Sequence, residues 1–308
     1  MKVSIIGGGG RVGSDAAYAL QLGGIVREIA LVDMNREMAE GEALDLRHGA
    51  SLTANQTFLS GDYDVVEGSD CVVITAGLRR KPDESRLELI NRNVSLFNGI
   101  LDSLKGVKLP DTATILVVSN PVDILTQLAA DAGILPTAQV LGLGTVLDTA
   151  RFRSLLADHF KVNARDVHAL ILGEHGDSMV PIWSSATVNG VSIASVPGYT
   201  EAAAHGVFDF TKRSGAEVIR LKGGAGRAVG VSIKEVVEAI ALDSDAVLPV
   251  SATQSGKLGI SGVALSLPTV VGARGVKDIY EPAVTDAERE ALHRSAESLK
   301  GVLSQIGG

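Results

Sequence analysis

The sequence has a single cysteine, no long apolar run and fewer basic than acidic residues. Each shortage closes off a class of protein. A lone Cys71 in 308 residues cannot form an internal disulfide, which suits a reducing cytoplasm. No apolar run approaches the ~18 residues of a membrane-spanning helix. The opening MKVSIIGGGG turns to glycine too early for a secretory hydrophobic region, so it is read as a buried first strand, and no signal peptide is expected. With Lys+Arg at 28 against Asp+Glu at 36, the net charge is −8, which argues against nucleic acid or an anionic membrane as a partner. There are no internal repeats and no low-complexity linker. What remains is a globular composition, 45% apolar and 21% charged, long enough to bury a core in one large domain or two ordinary ones.

Against that acidic background, GLRRKPDESR (77–86) gathers Arg79, Arg80, Lys81 and Arg86 directly after an apolar run. A charge cluster on a loop is ordinarily solvated, so its position in the fold decides its meaning. Strands are expected at 3–6, 29–32, 71–75, 115–118 and 140–141, each continuously apolar as a strand buried on both faces should be. Helix-length patterns at 12–22, 36–46, 86–104 and 121–132 alternate with them. Pro121 reads as a first helical residue behind Asn120 as N-cap. This alternation predicts an α/β fold with a doubly wound parallel sheet over residues 1–144. Residues 145–308 change texture. Helices are expected at 148–160, 201–221 and 231–242, and strands at 168–172, 184–188, 248–252, 263–267 and 276–280. With an Asn189-Gly190 turn and a capping box opening at Thr285, this half reads as a C-terminal mixed α+β domain.

After the first strand, IIGGGGRVG satisfies G-x-G-x-x-G in one frame only: Gly8, Gly10 and Gly13. Gly8 would allow the tight turn, Gly10 the approach of a pyrophosphate, and Gly13 close helix–strand packing. The anion would sit on the N-terminus of the helix that Arg11 and Val12 open. Asp33 ends the second strand 20 residues past Gly13, where a carboxylate accepts hydrogen bonds from a ribose and repels a 2′-phosphate. The pattern predicts a Rossmann-type domain that binds NAD, with Arg36 near enough to leave NADP open. Ligands of such sheets lie outside the carboxyl ends of the strands. Gly8, Asp33, Gly77 and Asn120 all fall at such ends, so the arginine-rich stretch overhangs the same edge.

Three further segments carry polar residues unsuited to a core. LDTARFR places Asp148 and Arg151 three apart on one helical face, LGEHGDSMVP holds His175 just past an apolar strand, and SNPVD holds Asn120. Glu174, His175 and Asp177 lack an H-x-x-x-H companion, so no metal is expected. The motifs IIGGGGRVG, LVDMN, GLRRKPDESR, VSNPVD, GTVLDTARFR and GEHGD stand in the order and spacing of the L-lactate/malate dehydrogenase family, which the chain resembles along nearly its whole length. The resemblance implies roles. His175 matches the proton donor and acceptor, Asp148 the carboxylate that orients and charges it, and Arg151 the fork on the substrate C1 carboxylate. Arg86 matches a mobile-loop arginine that polarises the reacting carbonyl, and Asn120 a residue near the substrate oxygen and nicotinamide. The cofactor-binding set is then Gly8, Gly10, Arg11, Val12, Gly13, Asp33, Asn93, Val118 and Asn120.

Within the family, Arg80 aligns with the position that selects substrate, neutral Gln in lactate-specific members and Arg in malate-specific ones. A buried second carboxylate requires a cation to meet it. Ala225 falls where lactate-specific members tend to have Thr. Both point to oxaloacetate and malate, and so to an NAD-dependent malate dehydrogenase of the tricarboxylic acid cycle. GTVLDTARFR and GEHGD look lactate-dehydrogenase-like instead. Arg153 and His168 match residues by which bacterial lactate dehydrogenases bind an activating sugar bisphosphate. The sequence departs from the family pattern at Asp83, Leu143 and Gly226-Arg227. The alternatives are an L-lactate or relaxed 2-hydroxyacid dehydrogenase and, more remotely, a non-catalytic NAD-binding protein. A cytoplasmic homo-oligomer is expected, tetramer favoured over dimer.

Overall fold

Burial on both faces is what the apolar runs of the first half achieve. The computed structural model describes residues 1–79 and 83–306, the side chain of Arg86 excepted. Strands β1 (Lys2–Ile6), β2 (Glu28–Val32), β3 (Thr57–Gly61), β4 (Cys71–Ile74), β5 (Thr114–Val117) and β6 (Val140–Gly142) pair in parallel in the order β6-β5-β4-β1-β2-β3. The chain reverses direction of travel across the sheet at β1, which lies between β2 and β4. Helices α1 (Arg11–Gly23), α2 (Arg36–Gly49), α3 (Arg86–Lys105) and α4 (Val122–Asp131) make the crossovers, except from β3 to β4, where a short 3-10 turn at Tyr63–Val66 connects them. The expected α/β, Rossmann-type sheet is therefore present. β3 was not anticipated: it is an edge strand with only Phe58 fully buried, so it lacks a continuous apolar run. α4 begins one residue later than the Asn-Pro pattern predicts. Pro121 is its N-cap, and Asn120 Oδ1 accepts from the Val122 amide at 3.3 Å.

The second half contributes α5 (Val146–Phe160), β7 (Val167–Leu172), β8 (Val180–Val188), β9 (Val191–Ser192), α6 (Glu201–Lys222), α7 (Arg227–Ala241), β10 (Ala246–Leu248), β11 (Ser251–Ser255), β12 (Ser261–Ser266), β13 (Thr269–Gly272), β14 (Gly275–Ile279) and α8 (Asp286–Ile306). The Asn189-Gly190 turn, both residues at positive φ, joins β8 to β9. The expected strand at 248–252 is two strands in different sheets: Pro249, with no N–H to give a ladder, stands between β10 and β11. β10-β13-β14 and β7-β8-β9 form antiparallel sheets of their own. β11 and β12 do not join them. They extend the parallel sheet antiparallel past β6, so the two halves of the chain share an eight-stranded sheet. The Thr285 capping box forms: the Glu288 amide donates to Thr285 Oγ1 at 3.2 Å, and the Thr285 amide to Glu288 Oε2 at 2.8 Å. Among the described residues no helix is long and apolar enough to cross a membrane.

The halves also meet where α7 lies on α1. A Cβ at Gly230 would stand 2.6 Å from the Asp15 carbonyl oxygen, and one at Gly226 2.0 Å from an Asp15 carboxylate oxygen. Arg227 reaches back to Asp15 Oδ1 at 3.1 Å. The departure from the family at Gly226-Arg227 is thus a local fit around Asp15. Gly230→Ala is expected to lower stability by about 1–3 kcal/mol through overpacking against α1 backbone. Urea unfolding of the two proteins checks it, and an unchanged midpoint would show that the helices separate without cost.

Candidate active site

A cavity of about 1530 Å³ opens along the carboxyl ends of β1, β2, β4 and β5 and continues under α5, the loop after β7, and α6. Gly7, Gly10, Arg11, Val12, Gly13, Asp33, Asn93, Val118 and Asn120 border its sheet end. Gly8 does not: it is buried, and a Cβ there would meet Leu31 Cβ at 2.8 Å. The positive φ of the turn, +90°, belongs to Gly7. The tight turn therefore sits one residue earlier than expected. Gly13 fills its expected place, since its Cβ would lie 2.2 Å from the Gly7 carbonyl oxygen. α1 has no side-chain N-cap and no acidic residue in its first turn, which leaves its N-terminal amides for an anion.

Asp33 is half-buried and accepts from the Gly9 amide at 3.1 Å and the Asn35 amide at 3.0 Å, which holds the carboxylate at the cavity rim. Arg36, the residue that left NADP open, pairs with Asp62 at 2.5 Å. Arg11 reaches away from the glycine loop, and its guanidinium donates to the carbonyls of Lys222 and Gly224, each at 2.9 Å. It ties the nucleotide loop to the α6–α7 turn. Asn93 is buried. Its Oδ1 accepts from the Leu78 amide at 2.7 Å, so it anchors the start of the arginine-rich segment as well as bordering the cavity.

At the other end Asp148, 1% exposed, sits between two cations. Its Oδ1 takes Arg151 at 2.9 Å, and its Oδ2 meets His175 Nδ1 in a short hydrogen bond. Thr145 and Thr149 hold α5 in place. Thr145 Oγ1 donates to the Ile171 carbonyl at 2.5 Å, and Thr149 Oγ1 accepts from the Ile171 amide at 3.0 Å. Ile171 lies on β7, just before the GEHGD loop, so the same strand positions both partners. Gly173 enters that loop at positive φ with a Cβ position 2.8 Å from Ser295 Oγ. Ser295 on α8 accepts from the Glu174 amide at 2.8 Å. The His175 side chain keeps 25% of its surface open, toward the cavity it borders.

Burial by itself disfavours a charged His175, but the charge and hydrogen bond of Asp148, with a lesser contribution from Asp123, outweigh it and raise the imidazole pKa above its ordinary value. Burial likewise pushes Asp148 upward, and His175 and Arg151 together bring it below the usual carboxylate range. The two directions agree on an aspartate–imidazolium pair that persists to higher pH than a free histidine would.

The arginine-rich segment is fastened at both ends to neighbouring residues of α3. Asn93 holds Leu78, and Arg92 pairs with the buried Glu84 at 2.5 Å. Ser85 caps α3 in a capping box with Glu88. Arg79 is exposed and borders the cavity. Arg80, Lys81 and the side chain of Arg86 lie outside the described residues. Arg153 spends Nε on the Ala169 carbonyl at 2.9 Å, and His168 is exposed on β7. Sequence reasoning passed over Asp123, Lys212 and Ser295. Only Asp123 gave a visible signal, a carboxylate inside the quoted VSNPVD among apolar neighbours.

Residues 1–142 match the family model for the lactate/malate dehydrogenase NAD binding domain, and residues 145–307 that for the lactate/malate dehydrogenase alpha/beta C-terminal domain. The chain belongs to the lactate/malate dehydrogenase family. It is an NAD-dependent dehydrogenase, and the open glycine loop and the Asp33 carboxylate suit that cofactor. The protein named L-lactate dehydrogenase 1 of Clostridium acetobutylicum is 43% identical over 99% of this chain and 98% of its own. The L-lactate dehydrogenase of Thermoanaerobacter pseudethanolicus is 42% identical over 99% of each chain. The structure of the minor L-lactate dehydrogenase of Enterococcus mundtii superposes with a TM-score of 0.95 at 37% identity, covering 99% of this chain and 98% of that one.

These relatives overturn the malate reading. It rested on Arg80 and Ala225, two positions in the whole chain. Similarity over the full length integrates every residue around the site. The lactate-like motifs GTVLDTARFR and GEHGD were the better guide.

Asp33→Ser is expected to weaken the preference for NADH over NADPH roughly tenfold, about 1.4 kcal/mol. Titration of both cofactors by protein fluorescence checks it, and an unchanged ratio would remove Asp33 from the ribose site.

Proposed function

We propose that the protein is an L-lactate dehydrogenase, interconverting pyruvate and L-lactate, with some tolerance for other 2-oxo monocarboxylates. The observation that carries this is the Asp148–His175–Arg151 constellation on one wall of the cavity, taken together with relatives above 40% identity that bear that name. Bound NADH supplies the hydride chemistry. His175 gives its proton to the C2 oxygen, and its elevated pKa keeps that proton available at neutral pH. Asp148 holds the ring from Nδ1 and leaves Nε2 for the substrate. Arg151 grips the C1 carboxylate with the part of its fork that Asp148 does not use. Asn120 lies at the cavity edge near the shared oxygen, and Arg86, first residue of α3, carries the carbonyl-polarising role. α6 adds Gly215, Ala216 and Ile219 to the wall, surfaces suited to a methyl group. Gly10, Arg11, Val12, Gly13, Asp33, Asn93, Val118 and Asn120 form the cofactor contacts on this reading, with Gly8 supporting them from behind.

The domain division proposed is 1–144 for cofactor and 145–308 for substrate. A homo-oligomer, tetramer favoured, is part of the reading. Tyr18, Leu22, Met38, Leu44 and Val231 support it as exposed apolar side chains on α1, α2 and α7. Cys71, a buried free thiol pushed up to about 12, supports a cytoplasmic setting.

The direct test compares kcat/KM for pyruvate and oxaloacetate with NADH on one preparation. Pyruvate should be preferred by at least about tenfold; preference for the dicarboxylate would sink the proposal. His175→Asn should cut kcat by roughly 10²–10⁴-fold and leave NADH affinity unchanged. Lost NADH affinity would make the histidine structural. For pyruvate reduction kcat/KM should be level at low pH, where His175 is protonated, and fall as pH rises through the raised pKa.

A further inference from the structure

Asp123 stands apart from the machinery described so far. It lies in the first turn of α4, is 2% exposed and does not border the cavity. Both of its oxygens are used. Oδ2 accepts from the His175 backbone amide at 2.7 Å, and Oδ1 accepts from Ser251 Oγ at 2.6 Å. A buried carboxylate receiving two donors is arranged for its ionised form. Its partners come from distant parts of the chain: Ser251 from β11, the strand that extends the parallel sheet, and His175 from the loop after β7.

We infer that Asp123 is a positioning residue for the reaction: it fixes the main chain of His175 and places a second buried anion behind the imidazole, favouring the protonated ring. The inference rests on His175 being the proton donor proposed above. Asp148 orients the ring through Nδ1, whereas Asp123 orients the backbone that carries it, so the histidine is held at two points by two carboxylates from different helices. The charged surroundings are asymmetric. Asp148 and Arg151 face the imidazole from α5, Glu174 and Asp177 flank it in sequence, and Lys212 on α6 donates to the Asp177 carbonyl at 2.8 Å. Around Asp123 stand Ser251, the His175 amide and imidazole, and Glu174. Burial, the dominant influence, pushes Asp123 to about 6 against the pull of Ser251 and His175. Loss of either donor moves it further towards the neutral acid.

Asp123→Asn keeps the acceptor for the His175 amide and removes the charge, its own amide turning to the Ser251 hydroxyl. Ser251→Ala removes one of the two donors that keep Asp123 ionised. The readout is the His175 imidazole titration in histidine-labelled protein without cofactor, followed by NMR and assigned with His175→Asn. Its pKa should be lower by about 0.5–1 in Asp123→Asn, and lower by a smaller amount in Ser251→Ala. In both, the alkaline fall of kcat/KM for reduction should begin at correspondingly lower pH. An unchanged His175 pKa in variants that retain wild-type Tm and NADH affinity would overturn the inference and leave Asp123 a packing residue. Should Asp123→Asn not fold, Ser251→Ala decides alone. The titration needs no turnover, so it stands or falls separately from the choice of pyruvate as substrate.

Discussion

The site depends on burying Asp148 as an anion. A carboxylate removed from water is tolerated only when its charge is met and its lone pairs are filled. Here an arginine one helical turn away and a histidine on another element do both. Removing either partner would strand the charge, so the pair and the fold that assembles it stand together. That requirement explains the surrounding detail. Thr145 and Thr149 clasp α5 to β7, Gly173 lets the loop turn sharply against α8, and Ser295 steadies its first residue. None of these touches the cavity's reacting region, yet each fixes the separation between a helix and a loop that must meet within a hydrogen bond.

The cofactor end is organised by close approach instead of charge. Gly13 exists so that α1 can press on the Gly7 carbonyl, and Gly226 and Gly230 exist so that α7 can press on α1. Arg11 closes this arrangement by bonding two carbonyls at the α6–α7 turn. The glycine loop is thereby attached to the helix that supplies Gly215, Ala216 and Ile219 to the cavity wall. The Arg11 guanidinium is one of the links between the two ends of the cavity.

Much of this was legible in the residues. Parallel strands buried on both faces announce themselves as apolar runs, and β1, β2, β4, β5 and β6 were found to within a residue or so. The edge strand β3 and the split at Pro249 were not, because an edge needs no continuous run and sheet membership is decided by tertiary pairing. Asp33, Asp148, Arg151 and His175 border one cavity as their motifs implied. What sequence did not convey was direction: that Arg11 turns away from the loop, that Arg79 borders the cavity, and that Asp123 grips a backbone amide 52 residues distant. The substrate misreading has another origin: Arg80 and Ala225 were weighed above the lactate-like motifs that the full-length relatives share.

The passage of β11 and β12 into the first sheet has a consequence for modularity. Cut after residue 144, the nucleotide-binding half would keep its six parallel strands but expose β6, a wholly buried strand, as a raw edge. Such an edge invites pairing with another chain. The dinucleotide half of this protein is thus not a transferable cassette: its last strand is sealed by a hairpin encoded more than a hundred residues later, and synthesis of the whole chain must be nearly complete before the sheet can close.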